Sequence, residues 1–308
     1  MARADAVARR GVVMQPAMRS ALACFPLLGL LAGCVVTRHQ ALHGDRWALR
    51  GDEARLAAPD TRAAPDPLAH LDDEFDDPTT LARWSRVDRS EGWPDQIKRL
   101  DIATTSPGQL HFEPYTSFWF ANFHAPYLYK EVTGDFVVTT RVEVSGAKDP
   151  VPKQGYSLAG LLVRAPHPET AAAWKPGSEN WLFITAGTGD GEHIPQYETK
   201  NTVDGASRLE LTPRPTGPTE LRVTRVGPHF TLLRRAPGED WVVLRRLERP
   251  DLPATLQVGP VAYTDFNTSR SYLILGRTRA YHRDAAEIAR RGVPDLVARF
   301  DYVHFRRP

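Results

Sequence analysis

The sequence predicts an all-β fold, an antiparallel β-sandwich with one short helix near its C-terminus. About fourteen short runs of strand type follow one another across the last three-quarters of the chain, separated by glycine, proline and aspartate. Seven tryptophans, nine tyrosines and twelve phenylalanines stand beside 26 prolines and 22 glycines, a mixture that suits short strands and tight turns better than a helical bundle. The runs never alternate with helical segments as a parallel sheet requires, so antiparallel pairing in two layers is the expected architecture.

The elements follow in order. Residues 1–33 read as a leader: Arg3, Arg9, Arg10 and Arg19 precede the apolar run "ALACFPLLGLLAG", which is too short to span a bilayer and of the right length for a signal-peptide core. The run ends in "LAGC", which resembles the bacterial lipobox, and the thiol of Cys34 is the expected site of lipidation. A mature chain beginning at Cys34 loses Cys24 and keeps no thiol free for a disulfide. Valine rather than aspartate follows Cys34, so resemblance to sorting signals favours the outer membrane of the cell envelope. Met14 and Met18 offer later translation starts that give a more compact leader.

Residues 34–70 lack strand or helix periodicity and are rich in alanine, arginine, aspartate and proline, as in "RLAAPDTRAAPDPLAH". They read as a flexible tether, with a short helix open within "DRWALRGDEARLA" and Trp47 expected to pack back on the domain. A coil of this length spans on the order of 30–35 Å. Residues 71–308 form the sandwich. In "DFVVTTRVEV", Phe136, Val138, Thr140 and Val142 share one face, and Val137, Thr139, Arg141 and Glu143 share the other. "LDDEF", "SFWFANF" and "YLILGRT" are also read as strands. The expected helix lies in "HRDAAEIARRGVP", with Asp284 as N-cap, Gly292 beyond its end and Pro294 as a stop.

The order of "DEFDD", "GQLHF", "TSFWF", "APYLYKEVTGDFVVTTRV", "AGLLVR", "NWLFITAG", "LRVTRVGPHFTLLRRAPGEDWVVL" and "ARFDYVHFRR" resembles the concanavalin A-like lectin/glucanase superfamily. Within it, the chain is most similar to a bacterial domain of unknown function related to the C-terminal module of family 43 β-xylosidases. The resemblance implies a jelly-roll sandwich, a carbohydrate-related role, a tryptophan (Trp241) set by its hairpin against the core, and a structural calcium ion at the sandwich edge. Asp73 and Asp301 are the expected calcium ligands if their strands pair.

The formal charge is +2, from 39 basic and 37 acidic residues spread along the chain, so no global field points to nucleic acid. The three-acid strand of the superfamily's glucanases is absent, and "HIPQYETK" only echoes the residue types of its lyases. Histidines are scattered without zinc spacing, and "GTGDG" follows a strand without opening a helix, as a turn does. Recognition of a carbohydrate or another surface ligand by a lectin-like, non-catalytic domain is therefore the leading reading. Trp119, Tyr127, Trp174 and Trp181 are candidate stacking platforms. Gln196, Glu198 and Lys200 alternate onto one strand face and, with Arg164, make a candidate polar floor. A hydrolase or lyase using Glu198 with Arg164 or Lys200, and a structural envelope protein that contacts another protein, stay open as alternatives.

Overall fold

The computed structural model describes residues 35–38, 49–58 and 66–308. The leader, Cys34 and Trp47 lie outside the described residues.

Fifteen strands build two layers. They are β1 (Val35–Arg38), β2 (Ser85–Arg86), β3 (Ile97–Ile102), β4 (Leu110–Pro114), β5 (Leu128–Thr133), β6 (Phe136–Gly146), β7 (Ser157–Arg164) and β8 (Trp181–Thr188). There follow β9 (Pro195–Val203), β10 (Ala206–Pro213), β11 (Thr219–Val226), β12 (His229–Arg235), β13 (Val242–Glu248), β14 (Thr255–Tyr263) and β15 (Leu296–Arg306). The first sheet runs β1-β10-β9-β8-β7-β14-β5-β2 and the second β13-β12-β11-β6-β15-β4-β3. All pairings are antiparallel except β1 with β10. The all-β antiparallel sandwich is thus the observed fold.

The core between the sheets follows from strand alternation. Phe136, Val138 and Val142 of β6 meet Leu161 and Val163 of β7 and Leu182 and Ile184 of β8 in one buried cluster. Gly160 permits close approach within and between the sheets: a Cβ there would lie 2.2 Å from the Ile184 carbonyl oxygen of the neighbouring strand β8 and 2.8 Å from Leu221 Cδ1 of β11 in the facing sheet. Strands β7 and β8 are buried at every position, so polar–apolar alternation disappears from them. The reason is a third layer. The outer face of the first sheet is covered by residues 115–127, residues 165–180 and three helices: α2 (Phe266–Ile274), α3 (Thr278–Arg283) and α4 (Ala285–Arg291). A short α1 (Val87–Glu91) precedes β3.

The expected helix is α4, flanked by Asp284 and Gly292 as its cap positions, although the Asp284 carboxylate makes no cap bond. Three strand readings change. "YLILGRT" closes α2 and turns into α3, because a four-residue apolar run fits a buried strand and a helix equally. "SFWFANF" is a loop with isolated bridges, and "LDDEF" contributes only the bridge between Asp73 and Val303.

Part of the expected tether is docked. Gly51–Leu56 forms a 3₁₀ turn on the outer face of the second sheet. Arg222 donates from Nη1 to the carbonyls of Leu56 (2.7 Å) and Ala58 (2.9 Å) and from Nε to Thr139 Oγ1. Its guanidinium lies 4.2 Å from the Trp241 ring. Trp241 is buried as expected, but with Leu233, Val243, Leu49 and Ala57 on that outer face rather than between the sheets. The carbonyls at the end of a 3₁₀ turn lack internal partners, which suits them to capture by arginine.

Candidate functional site

The fold brings the predicted site residues together, but beneath the third layer rather than in an open groove. Trp119, Trp181, Tyr127, Arg164 and Glu198 have no exposed surface, and Trp174 and Lys200 are 2% exposed. Helices α2–α4, of which sequence reading expected only α4 and took the end of α2 for a strand, close over this face of the first sheet. Gln196 is half-buried at its edge, where its Oε1 accepts from the Asp190 amide and fixes the β8–β9 turn.

Arg164, at the end of β7, lies at the centre of this buried face. It donates to Glu179 through Nε and Nη2, both at 2.9 Å, to Glu91 through Nη1 and Nη2, and to Gln257 Oε1 at 3.0 Å. Trp174 Nε1 donates to Glu179 and Trp93 Nε1 to Glu91, so both carboxylates are held by a charge and an indole. Burial opposes the charge on Glu179, but Arg164 and then His124 outweigh it and hold the carboxyl well below its usual range. Such a group stays ionised and is unsuited to donate a proton as a general acid.

A second buried pair lies on β9. Glu198 is 2.9 Å from Lys200 Nζ and accepts the Tyr263 hydroxyl proton, while Lys200 also donates to the Trp119 carbonyl at 2.6 Å. Burial, reinforced by Glu198, pushes the Tyr263 phenol well up. The polar trio expected to form one floor is thus split: Glu198 and Lys200 serve each other, and Gln196 serves a turn. Tyr127 donates to the Leu162 carbonyl.

His124 and His282 tie the covering layer to this face. His124 Nε2 lies 2.9 Å from Glu179 Oε1, at ion-pair distance but off the hydrogen-bonding axis. Trp93 stacks on His124 with ring centres 4.1 Å apart and tilts over His282 at 4.5 Å. At the base of the helices, Asp265 adopts a left-handed conformation (φ 58°), and its Oδ2 accepts from Thr116 Oγ1 and the Val293 amide, each at 2.8 Å.

The expected calcium ligands have other partners. Asp73 does reach the last strand, through its bridge to Val303, but its carboxylate accepts from the Phe75 amide, Thr80 Oγ1 and Trp84 Nε1. Asp301 takes the guanidinium of Arg141 and the amide of Gln109. These donors occupy the oxygens a cation would need, so the pair does not fit a calcium site. Among the described residues, no three His, Cys, Asp or Glu side chains gather as metal ligands.

A cleft of about 590 Å³ stays open to solvent between α4 and the start of β3, lined by Pro94, Asp95, Tyr115, Ala285, Ala286, Ala289 and Arg290. Tyr115 is 36% exposed. Asp95 Oδ2 is 2.8 Å from Arg86, and Arg290 pairs with Glu287. The buried face supports the cleft from behind, through Trp93 and through Gln96, whose Nε2 donates to Tyr281 Oη at 3.2 Å. Sequence reasoning missed these residues; proline beside an aromatic or acid in "GWPDQ" and "FEPYTS" is the signal that marks them as shaped loops. A second cleft, of about 440 Å³, lies where Arg50–Leu56 meets β11–β13.

No protein-family model matches the sequence, and no curated protein matches it. Among solved structures, the chain is similar to the GH43 protein BlXynB from Bacillus licheniformis, at 14% identity and a TM-score of 0.51, over 80% of this chain and 41% of that one. It is likewise similar to the Bacteroides ovatus xyloglucan PUL GH43B, at 15% identity and a TM-score of 0.51, over 81% of this chain and 41% of that one. The likeness is one of fold, and this chain spans well under half the length of either protein.

Proposed function

We propose that the chain is a lipid-anchored envelope protein whose sandwich binds a carbohydrate without cleaving it, with the ligand in the cleft between α4 and the start of β3. The cleft itself is the observation that carries this reading. Its volume lies within the usual range for small-ligand sites, roughly 300–1,000 Å³. It offers a partly exposed tyrosine face beside one carboxylate and one guanidinium, the pairing that sugar recognition uses: stacking on the ring and hydrogen bonds to its hydroxyls. Alanines at 285, 286 and 289 leave room against that ring.

Binding is favoured over cleavage because the lining carries a single carboxylate, Asp95, already paired with Arg86. Glycoside hydrolysis asks for two acids across the scissile bond. The similarity to two GH43 proteins agrees with a carbohydrate-related sandwich. The lipobox-like "LAGC" supports anchoring at Cys34 and an envelope location. The anchor is tested by metabolic lipid labelling. Label is expected on the wild-type chain and lost in Cys34→Ser, and unchanged label in the variant would refute the anchor.

A further inference from the structure

Residues 266–293 carry six arginines against one aspartate and one glutamate, in a chain whose formal charge is only +2. The same segment holds Ile274, Leu275 and Val293, at 49%, 58% and 60% exposure, which are half of the exposed large hydrophobics of the described chain. Scattered single hydrophobics need no explanation, but these are concentrated in one basic segment.

The α2–α3 corner shows both properties at once. Ile274 and Leu275 end α2, Gly276 turns the chain with φ 63°, and Arg277 and Arg279 follow. Arg270 lies one helical turn before Ile274 and shares its face. Arg283 and Arg290 are paired with Asp284 and Glu287, and Arg291 lies over the Tyr272 ring. Arg270, Arg277 and Arg279 are exposed and make no ion pair among the described residues.

We propose that this corner is a docking surface for an anionic lipid bilayer, with Ile274 and Leu275 entering the headgroup boundary and Arg270, Arg277 and Arg279 meeting lipid phosphates. A soluble polyanion would reward the arginines alone. Aliphatic side chains at the same corner gain only where an apolar phase lies just beneath the charge. The inference does not require the lipid anchor, although an anchored chain would meet this surface at high local concentration.

The test is hydrogen exchange read by mass spectrometry on the full chain, with neutral phosphatidylcholine vesicles and with vesicles of equal parts phosphatidylcholine and phosphatidylglycerol. The peptide containing Cys34 reports acylation in the same experiment, so failure of the anchor is seen separately. The proposal predicts exchange across residues 270–279 slowed about fivefold or more on the anionic vesicles only. It predicts loss of that protection in Arg270→Glu/Arg277→Glu/Arg279→Glu and a marked reduction in Ile274→Ser/Leu275→Ser. Unchanged exchange in β6 certifies that each variant is folded. No protection, equal protection on neutral vesicles, equal protection by soluble heparin, or protection that survives the triple variant would each overturn it.

Discussion

His124 Nδ1 and His282 Nε2 lie 3.1 Å apart within a layer where both side chains are almost fully buried. His282 Nε2 also faces the Asn122 carbonyl, so that nitrogen carries the proton and His124 Nδ1 accepts. This leaves His282 Nδ1 as a buried lone pair without a partner among the described residues. Burial first, then the neighbouring His124, depresses the His282 pKa well below its usual 6.5, against the opposing pull of the Asn122 carbonyl and Glu179. The charged groups that face the pair are Glu179 and, behind it, Arg164 with Glu91.

The pH dependence follows from that depression. Between the depressed value and 6.5 the unfolded chain binds the proton and the folded chain does not, so stability is full above about pH 6.5 and falls as pH is lowered. Glu179 acts in the same direction over a lower window, below its usual 4.5, because its stabilisation is lost as the carboxylate is protonated. Urea unfolding measured between pH 4.5 and 6.5 is expected to show a shallower acid loss in His282→Gln than in the parent. Parallel profiles would remove the histidine from the account.

Arg164→Met leaves Glu91 and Glu179 buried without their common cation and is expected to destabilise the domain by about 3–5 kcal/mol. Adding Glu91→Gln and Glu179→Gln should recover part of that loss, since neutral amides carry a smaller burial cost. The check is the denaturant midpoint of the single and triple variants. A triple variant no better than Arg164→Met would show that the packing of the guanidinium, rather than its charge, is what matters.

Arg222 holds residues 56–58 against the second sheet while it stacks on Trp241. Arg222→Ala should therefore open the Leu49–Ala58 segment to limited proteolysis and leave the strands resistant. Persistent protection of that segment would assign its docking to Arg246–Glu53 and Arg306 instead.

Much of this was legible in the sequence. Alternation in β6 and the spaced turns fixed the sandwich, and proline and glycine around "AAEIARR" fixed α4. The residues chosen for recognition do converge, because β7, β8 and β9 are neighbours and Arg164, Trp181, Glu198 and Lys200 share one face. Their burial was not legible, since it depends on α2 and α3 folding back over that face. "FNTSRSYLI" has no clear apolar stripe, and no local pattern distinguishes a solvated charge from one whose partner lies 73 residues away, as Glu91 lies from Arg164. The calcium expectation meets two obstacles. Gln109 and Arg141, which satisfy Asp301, lie 192 and 160 residues away in sequence. Phe75, Thr80 and Trp84, which satisfy Asp73, follow within eleven residues but reach it only through a turn that the strand reading of "LDDEF" did not foresee.

The most direct test of the account is a glycan-array screen of the chain, followed by titration of the best oligosaccharide and an assay for new reducing or unsaturated ends. The account predicts saturable binding that falls at least about tenfold in Tyr115→Ala, whose side chain is partly exposed and separable from the core, with no cleavage products. Absence of binding to any glycan, binding indifferent to Tyr115, or the appearance of product ends would contradict it.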